Sequence, residues 1–261
     1  MMFSSYDTKV IPDIIITDHP LSKVIMSEFA QGFKSQKYFH INNYKLQSRP
    51  IASYGYLRGV GDLYKKSGDF WYIDHGYFKQ SSRSFQNKVI VKNLDGYFRI
   101  VNNNFWHSNF KKMPSIRFDK LNINVSPQKS NGDYILISEP TTQAAQYYNL
   151  KDWTSKTILR LKKYTDRPVI IHNRSSNIPL DQLLANAWAF VSDHSSAGFL
   201  ALAKGIPAVY TNKSLEYIGR IEDIEKLNID ENIFFYLAYG QWKLDEIRSG
   251  EAWEFLSNNN I

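Results

Sequence analysis

The stretch from Ala187 to Thr211, AWAFVSDHSSAGFLALAKGIPAVYT, limits the possible folds more than any other part of this chain. Ala189 to Val191 reads as a short buried strand and Ser192 to Ser196 as a polar turn. Ala197 to Lys204 follows as a helix of small residues, Gly205-Ile206-Pro207 as a break, and Ala208 to Tyr210 as a second apolar strand. Strand, turn, helix, strand is the repeating unit of a parallel sheet, because parallel neighbours need a crossover between them. The turn sets hydroxyls and unpaired backbone N–H groups at a helix start, where the dipole and the donors both favour an anion. Ser and Asp at that position also suit an ordinary N-cap. The helix is thin at Ala197, Gly198, Ala201 and Ala203, which would let a ligand approach its first turn.

The same alternation extends over residues 134–211. Tyr134 to Ile137, Pro168 to Ile171, Ala189 to Val191 and Ala208 to Tyr210 read as strands, with helices at Trp153 to Tyr164, Leu180 to Ala187 and Ala197 to Lys204. Near the N-terminus, Val10 to Ile16 reads as a buried strand ending in Thr17-Asp18-His19-Pro20. Leu21, Val24, Ile25, Phe29 and Phe33 then recur at helical spacing. That opening suits a first Rossmann-like half, so the expected class is α/β. Residues 88–92 and 96–101 alternate around Asn93-Leu94-Asp95-Gly96 and read as a hairpin with an Asp-Gly turn. Ser126 to Asp133, SPQKSNGD, is rich in turn formers and marks a boundary. We therefore expect an N-terminal domain over residues 1–128 and a C-terminal domain over 129–261, the latter closing in one or two helices between Ile233 and Leu256.

Composition narrows the function classes. Hydrophobic residues make up 43% and charged residues 22%, as in soluble globular proteins. No apolar run approaches the ~20 residues that span a bilayer, and the N-terminus lacks a basic region followed by an apolar core. The expectation is a cytoplasmic protein without stable membrane insertion. Cysteine is absent, which suits a reducing compartment. The net charge of +7 fits a polyanionic partner, and the 15% aromatic content could stack on sugars or bases. No Walker Gly-x-x-x-x-Gly-Lys and no Gly-x-Gly-x-x-Gly after the first strand is present, which disfavours kinase-like and dehydrogenase chemistry. The six histidines show no i, i+4 ligand pair and no Asp-x-Asp occurs, so neither a catalytic metal nor a cofactor is expected.

Four polar turns follow strands of the C-terminal half: Ser138 to Thr142, His172 to Ser176, Asp193 to Ser196 and Thr211 to Ser214. Open α/β sheets bind ligands outside the carboxyl ends of their strands. Ser195, Ser196 and the backbone through Gly198 could cradle a diphosphate, with His194 in the same turn. Thr141 and Thr142 are a second hydroxyl pair, His172 could read a base or ribose, and Arg174 could pair with phosphate oxygens. In the N-terminal half, Asp74-His75 closes the aromatic stretch FWYIDHGYF and Asp18-His19 closes the first strand. Tyr72, Tyr77 and Phe78 could stack on a sugar or base.

The pattern over 187–211 resembles the C-terminal domain of glycosyltransferases of the two-Rossmann-domain, or GT-B, type. In that family a strand ends in a hydroxyl-bearing turn, the next helix start holds the donor's pyrophosphate, and a Gly-x-Pro turn leads onward. The segments FWYIDHGYF, GDYILISEP, TDRPVIIHNR and QWKLDEIRSGEAWEFL also look like those of small bacteriophage-encoded proteins of this type. Some phages carry transferases that glycosylate hydroxymethylated pyrimidines in their own DNA. The resemblance implies two Rossmann-like domains facing a central cleft. It implies a nucleotide sugar, first of all a UDP-sugar, on Thr141, Thr142, His172, Arg174, His194, Ser195, Ser196 and Gly198. Glycosyl transfer needs a base for the acceptor hydroxyl, and Asp74, His75 and His19 are the candidates. Asp18, Tyr72, Tyr77 and Phe78 would meet the acceptor, first of all a hydroxymethylated pyrimidine in DNA. Three other readings stay open: a transferase acting on a capsular or cell-surface glycan, a non-catalytic nucleic-acid-binding protein of the same fold, and a nucleotide-sugar epimerase.

Overall fold

The computed structural model describes residues 10–80, 82–86, 89–173 and 175–259. Along the chain, β1 (Asp13–Ile16), α1 (Ser22–Gly32), β2 (Tyr38–His40), β3 (Ile51–Tyr54), α2 (Val60–Ser67) and β4 (Phe70–His75) come first. β5 (Ser82–Gln86), β6 (Val89–Asn93) and β7 (Phe98–Asn102) follow. Next come α3 (Ile116–Lys120), β8 (Tyr134–Ser138), α4 (Thr142–Tyr147), α5 (Trp153–Leu161), β9 (Val169–His172) and α6 (Leu180–Ala185). β10 (Ala187–Ser192), α7 (Ala197–Ala203), β11 (Ala208–Tyr210) and α8 (Asn232–Tyr239) precede the closing β12 (Gln241–Trp242), α9 (Leu244–Ser249) and α10 (Glu251–Asn258).

The chain is α/β and divides into two compact units. One is Met1–Asn109 with Tyr239–Ile261, and the other is Phe110–Ala238. This differs from a single boundary after residue 128. The closing segment belongs with the first unit because β12 pairs with β7, and Trp242, Ile247, Ala252 and Leu256 complete the core around Phe29, Phe33 and Trp71.

The first unit holds a six-stranded sheet in the order β12-β7-β4-β3-β1-β2. β1 to β4 are parallel, whereas β7 and β12 are antiparallel to their neighbours. Strand periodicity sorts the side chains onto two faces. Ile14, Ala52, Trp71 and Ile73 meet Ile25, Met26 and Phe29 of α1 on one face. Ile15, Ile51, Phe70 and Tyr72 meet Val60 and Tyr64 of α2 on the other. Both faces are covered, so these strands read as near-continuous apolar runs. Register sets Ile16 beside His40 and Tyr54 beside Ile73, which brings the carboxyl ends of β1 to β4 to one edge.

The second unit holds four parallel strands in the order β11-β10-β8-β9. Ile135, Ile137, Ala189, Val191 and Val209 pack with Trp153 and Leu161 of α5. The expected strand–turn–helix–strand unit is present as β10, α7 and β11. The expected hairpin around Asp95-Gly96 is not. β6 pairs with β5, and β7 lies between β4 and β12, because its apolar residues Phe98 and Ile100 belong to the first unit's core. The tail also carries a strand as well as helices. Among the described residues, no helix is long and apolar enough to cross a membrane.

Gly32 shows how tightly the closing helices seat. A Cβ there would lie 1.7 Å from the Ile247 carbonyl oxygen of α9, a clash with backbone that no rotamer relieves. Gly32→Ala should therefore cost about 1–3 kcal/mol or more, through overpacking of the α1–α9 contact. Urea unfolding should show a lower midpoint than the native protein.

Candidate functional site

In the second unit, β8 is followed in sequence by β9 on one side, and the chain then crosses to β10 on the other. The order reverses between β8 and β10, and a crevice at such a switch point is where open sheets hold ligands. β8 ends at Ser138 and β10 at Ser192, the two being register partners. The turn after β10 is built on Asp193, which is 5% exposed. The Trp153 indole N–H donates to Thr211 Oγ1 at 2.7 Å, and the Thr211 hydroxyl donates to Asp193 Oδ1 at 2.8 Å. The other carboxylate oxygen meets His194 Nδ1 at 2.8 Å. With the carboxylate an acceptor on both oxygens, Nδ1 carries the imidazole proton and Nε2 is left to meet a ligand. Tyr148 lies against the same ring, with centroids 4.4 Å apart.

The neighbouring residues differ in how available they are. Ser195 N–H donates to Ser192 Oγ at 3.1 Å, and Ser195 Oγ accepts from Ala197 N–H at 3.3 Å, so Ser195 works partly as a cap. Ser196 is half-buried and makes no capping bond. Gly198 is a correction. A Cβ there would lie 2.2 Å from the Tyr210 hydroxyl, which donates to Ser195 O at 3.0 Å. Tyr210 fills the space a side chain would take, and the Gly198 N–H already donates to Ser195 O at 3.2 Å. Thr141 caps α4 by accepting from Ala144 N–H at 3.3 Å, and Thr142 is exposed. His172 ends β9 and is half-buried. Arg174 lies outside the described residues.

The first unit has the same reversal between β1 and β3. Its parallel strands end in polar and aromatic groups on one edge: Asp18-His19 after β1, His40 on β2, Tyr54 on β3 and His75 on β4. Tyr54 Oη lies 3.1 Å from His75 Nε2, and its ring is 5.3 Å from that of His19. His40 Nε2 meets Asp18 Oδ1 at 3.1 Å, with the Asp18 side chain 81% exposed. Leu21 N–H donates to His19 Nδ1 at 3.1 Å, so the proton of a neutral His19 sits on Nε2. In that form Nε2 donates and does not abstract.

Asp74 and His75 do not act together, because adjacent strand residues face opposite ways. Asp74 shares the Tyr72 face. It pairs with Arg99 at 3.3 Å and accepts from the Tyr72 hydroxyl. Its other oxygen accepts from His75 N–H at 2.8 Å. The carboxylate is thereby committed to structure. Tyr72, Tyr77 and Phe78 are buried, so their rings offer no stacking surface. Tyr72 packs at 4.7 Å on Phe105, and the Tyr77 hydroxyl meets His107 Nδ1 at 2.7 Å.

Sequence reasoning passed over Asp193, Thr211, His40, Tyr54 and Arg99. His40 and Tyr54 carry a readable signal, each being the last residue of a strand. Asp193 carries another, a carboxylate directly before a histidine in a post-strand turn. Arg99 carries none, since its partners come from distant segments. Among the described residues, no group of three or more His, Asp or Glu side chains could hold a metal ion. No protein-family model matches the chain, and no curated protein matches it.

Two outcomes follow. In nitrogen NMR of labelled protein, His194 should appear as the Nδ1–H tautomer, and Asp193→Ala should erase that preference. Burial, with Arg99 adding to it, pushes His107 down to about 3 from its ordinary value of 6.5. Its folded value lies below the unfolded one, so the unfolded chain takes up the proton first. The contribution is complete above about pH 6.5 and is lost as pH falls towards 3. The loss amounts to roughly 2–3 kcal/mol by pH 4.5. His107→Gln should flatten the fall in urea-unfolding stability between about pH 7 and 4.5 by that amount.

Proposed function

We propose that this protein is a nucleotide-sugar-dependent glycosyltransferase built of two Rossmann-like units in the GT-B manner. The observation that carries the reading is the β8/β10 switch point, where Asp193 fixes His194 beside Ser195 and Ser196. Hydroxyls and an oriented imidazole suit a sugar diphosphate. The strand order of the first unit supports a second ligand edge of the same kind.

In this reading His194 Nε2, Ser195, Ser196 and Thr141 hold the diphosphate, Thr142 borders it, Arg174 neutralises it and His172 meets the nucleoside. α7 is only seven residues long, so binding rests on the turn's side chains more than on its dipole. His75 is the base best supported, because Asp74 is held by Arg99 and His19 donates from Nε2. The acceptor O–H bond breaks with its proton passing to His75. The oxygen bonds the anomeric carbon as the carbon–phosphate oxygen bond breaks, and the electron pair leaves on the diphosphate. Asp18 and His19 hydrogen-bond the acceptor. The net charge of +7 supports a polyanionic acceptor, and we take it to be a hydroxymethylated pyrimidine in DNA, flipped from the stack to react.

The test is incubation of the purified protein with UDP-, GDP-, dTDP- and CMP-sugars, with and without DNA containing 5-hydroxymethylcytosine or 5-hydroxymethyluracil. We expect thermal stabilisation by one sugar nucleotide and a mass gain of one sugar on the modified base. His75→Ala should lower turnover by about 10²-fold or more while leaving that stabilisation intact. Stabilisation with transfer only to a glycan would move the acceptor. Silence across the whole panel would remove the transferase reading.

A further inference from the structure

We infer that Glu139 accepts hydrogen bonds from the cis-diol of a ribose, so that the second unit takes ribonucleotides and rejects their 2′-deoxy counterparts. The inference rests on the nucleotide-binding part of the reading above, and not on sugar transfer. Pro140 keeps the residue before it out of the helical region, so the chain stays extended at Glu139. The β8–β9 ladder therefore runs one step beyond Ser138, and the Glu139 N–H donates to His172 O at 2.9 Å. Side chains alternate along a strand, which puts Glu139 on the face of Ile135 and Ile137, the face that packs on α5.

Register carries that face across three strands. Ser138 pairs with Ser192 of β10 and with His172 of β9. One step on, Asp193, Glu139 and Asn173 stand at corresponding positions of β10, β8 and β9, which are neighbours in that order. The first two residues of α5 hold two of them. Trp153 reaches Asp193 through Thr211, and the Thr154 hydroxyl donates to Glu139 Oε1 at 2.9 Å. The Asn173 side-chain amide donates to Glu139 Oε2 at 3.4 Å. Asn173 is itself oriented, because its Oδ1 accepts from Ser175 N–H and from the Ser175 and Ser176 hydroxyls. With three donors on Oδ1, Nδ2 is the atom turned to Glu139.

Neutral donors alone fix this carboxylate, and among the described residues it enters no ion pair. Glu139 is half-buried, so part of it faces solvent. An ionised carboxylate only accepts, and each of its oxygens can accept twice. One bond per oxygen is made within the protein, which leaves one acceptor site on each. The complementary ligand is a pair of adjacent neutral donors, and the two hydroxyls of a cis-diol are spaced to meet both oxygens. A phosphate does not suit the position, since its charge has the same sign. Neighbouring strands lie about 4.8 Å apart. Glu139 therefore stands one strand from the Asp193–His194 turn assigned to the diphosphate and one strand from His172, assigned to the nucleoside. Ribose is the part of a nucleotide that joins the two.

The experiment is isothermal titration calorimetry of the full chain with matched free nucleotides: UDP against 2′-deoxy-UDP, and the same pairs for GDP and CDP. Hydrogen bonds to a charged acceptor are strong, so the ribonucleotide of the preferred base should bind about tenfold to hundredfold more tightly than its 2′-deoxy partner. Glu139→Ala should bring that ratio to about threefold or less, with the 2′-deoxy affinity held or improved because a like charge is gone. Glu139→Gln, which keeps the side chain's volume, repeats the measurement if the alanine variant is unstable, and it should narrow the ratio at least about threefold. Equal binding within every pair would overturn the inference. So would absence of nucleotide binding, a ratio that neither variant changes, or discrimination confined to the hydroxyls of the transferred sugar. A ribose preference lost in Glu139→Ala, with no sugar transferred to any acceptor, would uphold the inference and remove the transferase. Transfer from a UDP-sugar and its 2′-deoxy analogue at equal rates would do the reverse.

Discussion

The candidate edge of the first unit depends on one buried cation. Arg99 is 4% exposed and sits 4.0 Å over the Trp106 ring. It pairs with Asp74 and donates to the carbonyls of Phe105 and His75 at 3.1 and 2.5 Å. A buried guanidinium is costly unless its donors are used, and here the partners come from the end of β4 and from the loop after β7. The ion pair joins β4 to β7, the His75 carbonyl fixes the end of β4, and the Phe105 carbonyl ties down the loop after β7. Tyr77 and His107 complete the surroundings. Burial raises the tyrosine to about 12 and lowers the histidine to about 3, so both stay neutral beside the cation. His75 is thus held by its backbone, and its ring meets the Tyr54 hydroxyl through Nε2.

The second unit reaches a fixed imidazole by another route. There the anchor is a buried carboxylate, and the chain Trp153, Thr211, Asp193, His194 orients each hydrogen in turn. Indole N–H groups only donate, so the Thr211 hydroxyl accepts from Trp153 and gives its own hydrogen to Asp193, while the other carboxylate oxygen accepts from His194 Nδ1. In both units polar side chains gather where the strand order reverses, the place at which open sheets hold ligands. The histidines play different parts: His19 is locked as a donor by Leu21 N–H, and His194 presents the opposite tautomer.

Much of the architecture was legible in local pattern. Buried runs such as DIII, YILIS and AWAFVS mark strands that are covered on both faces, and the Gly-Ile-Pro break marks the passage from α7 to β11. The polar residues at Asp18-His19, Asp74-His75 and Asp193 to Ser196 were legible as marking strand ends. What escaped was partnership. The Asp95-Gly96 turn signal suggested that β6 pairs with β7, but the core needed Phe98 and Ile100 in the main sheet. Tyr72, Tyr77 and Phe78 looked like a binding surface, yet all three are buried, Tyr72 against Arg99 and Phe105 and Tyr77 beside His107. Gly198 looked open, and Tyr210 from the next strand closes it.

By itself the sequence determined the α/β class, the parallel strands β1, β8, β9, β10 and β11, and the polar turns that end them, but not β2. These follow from periodicity and turn chemistry, which act over a few neighbouring residues. Tertiary structure alone decided that the closing segment returns to the first unit, that Asp74 is a structural partner of Arg99, and that Asp193, held by Thr211 and Trp153, orients His194. Those outcomes turn on burial and hydrogen-bond geometry between residues tens of positions apart. A carboxylate beside a histidine reads the same in either turn, and only its buried neighbours separate an ion pair from an oriented imidazole.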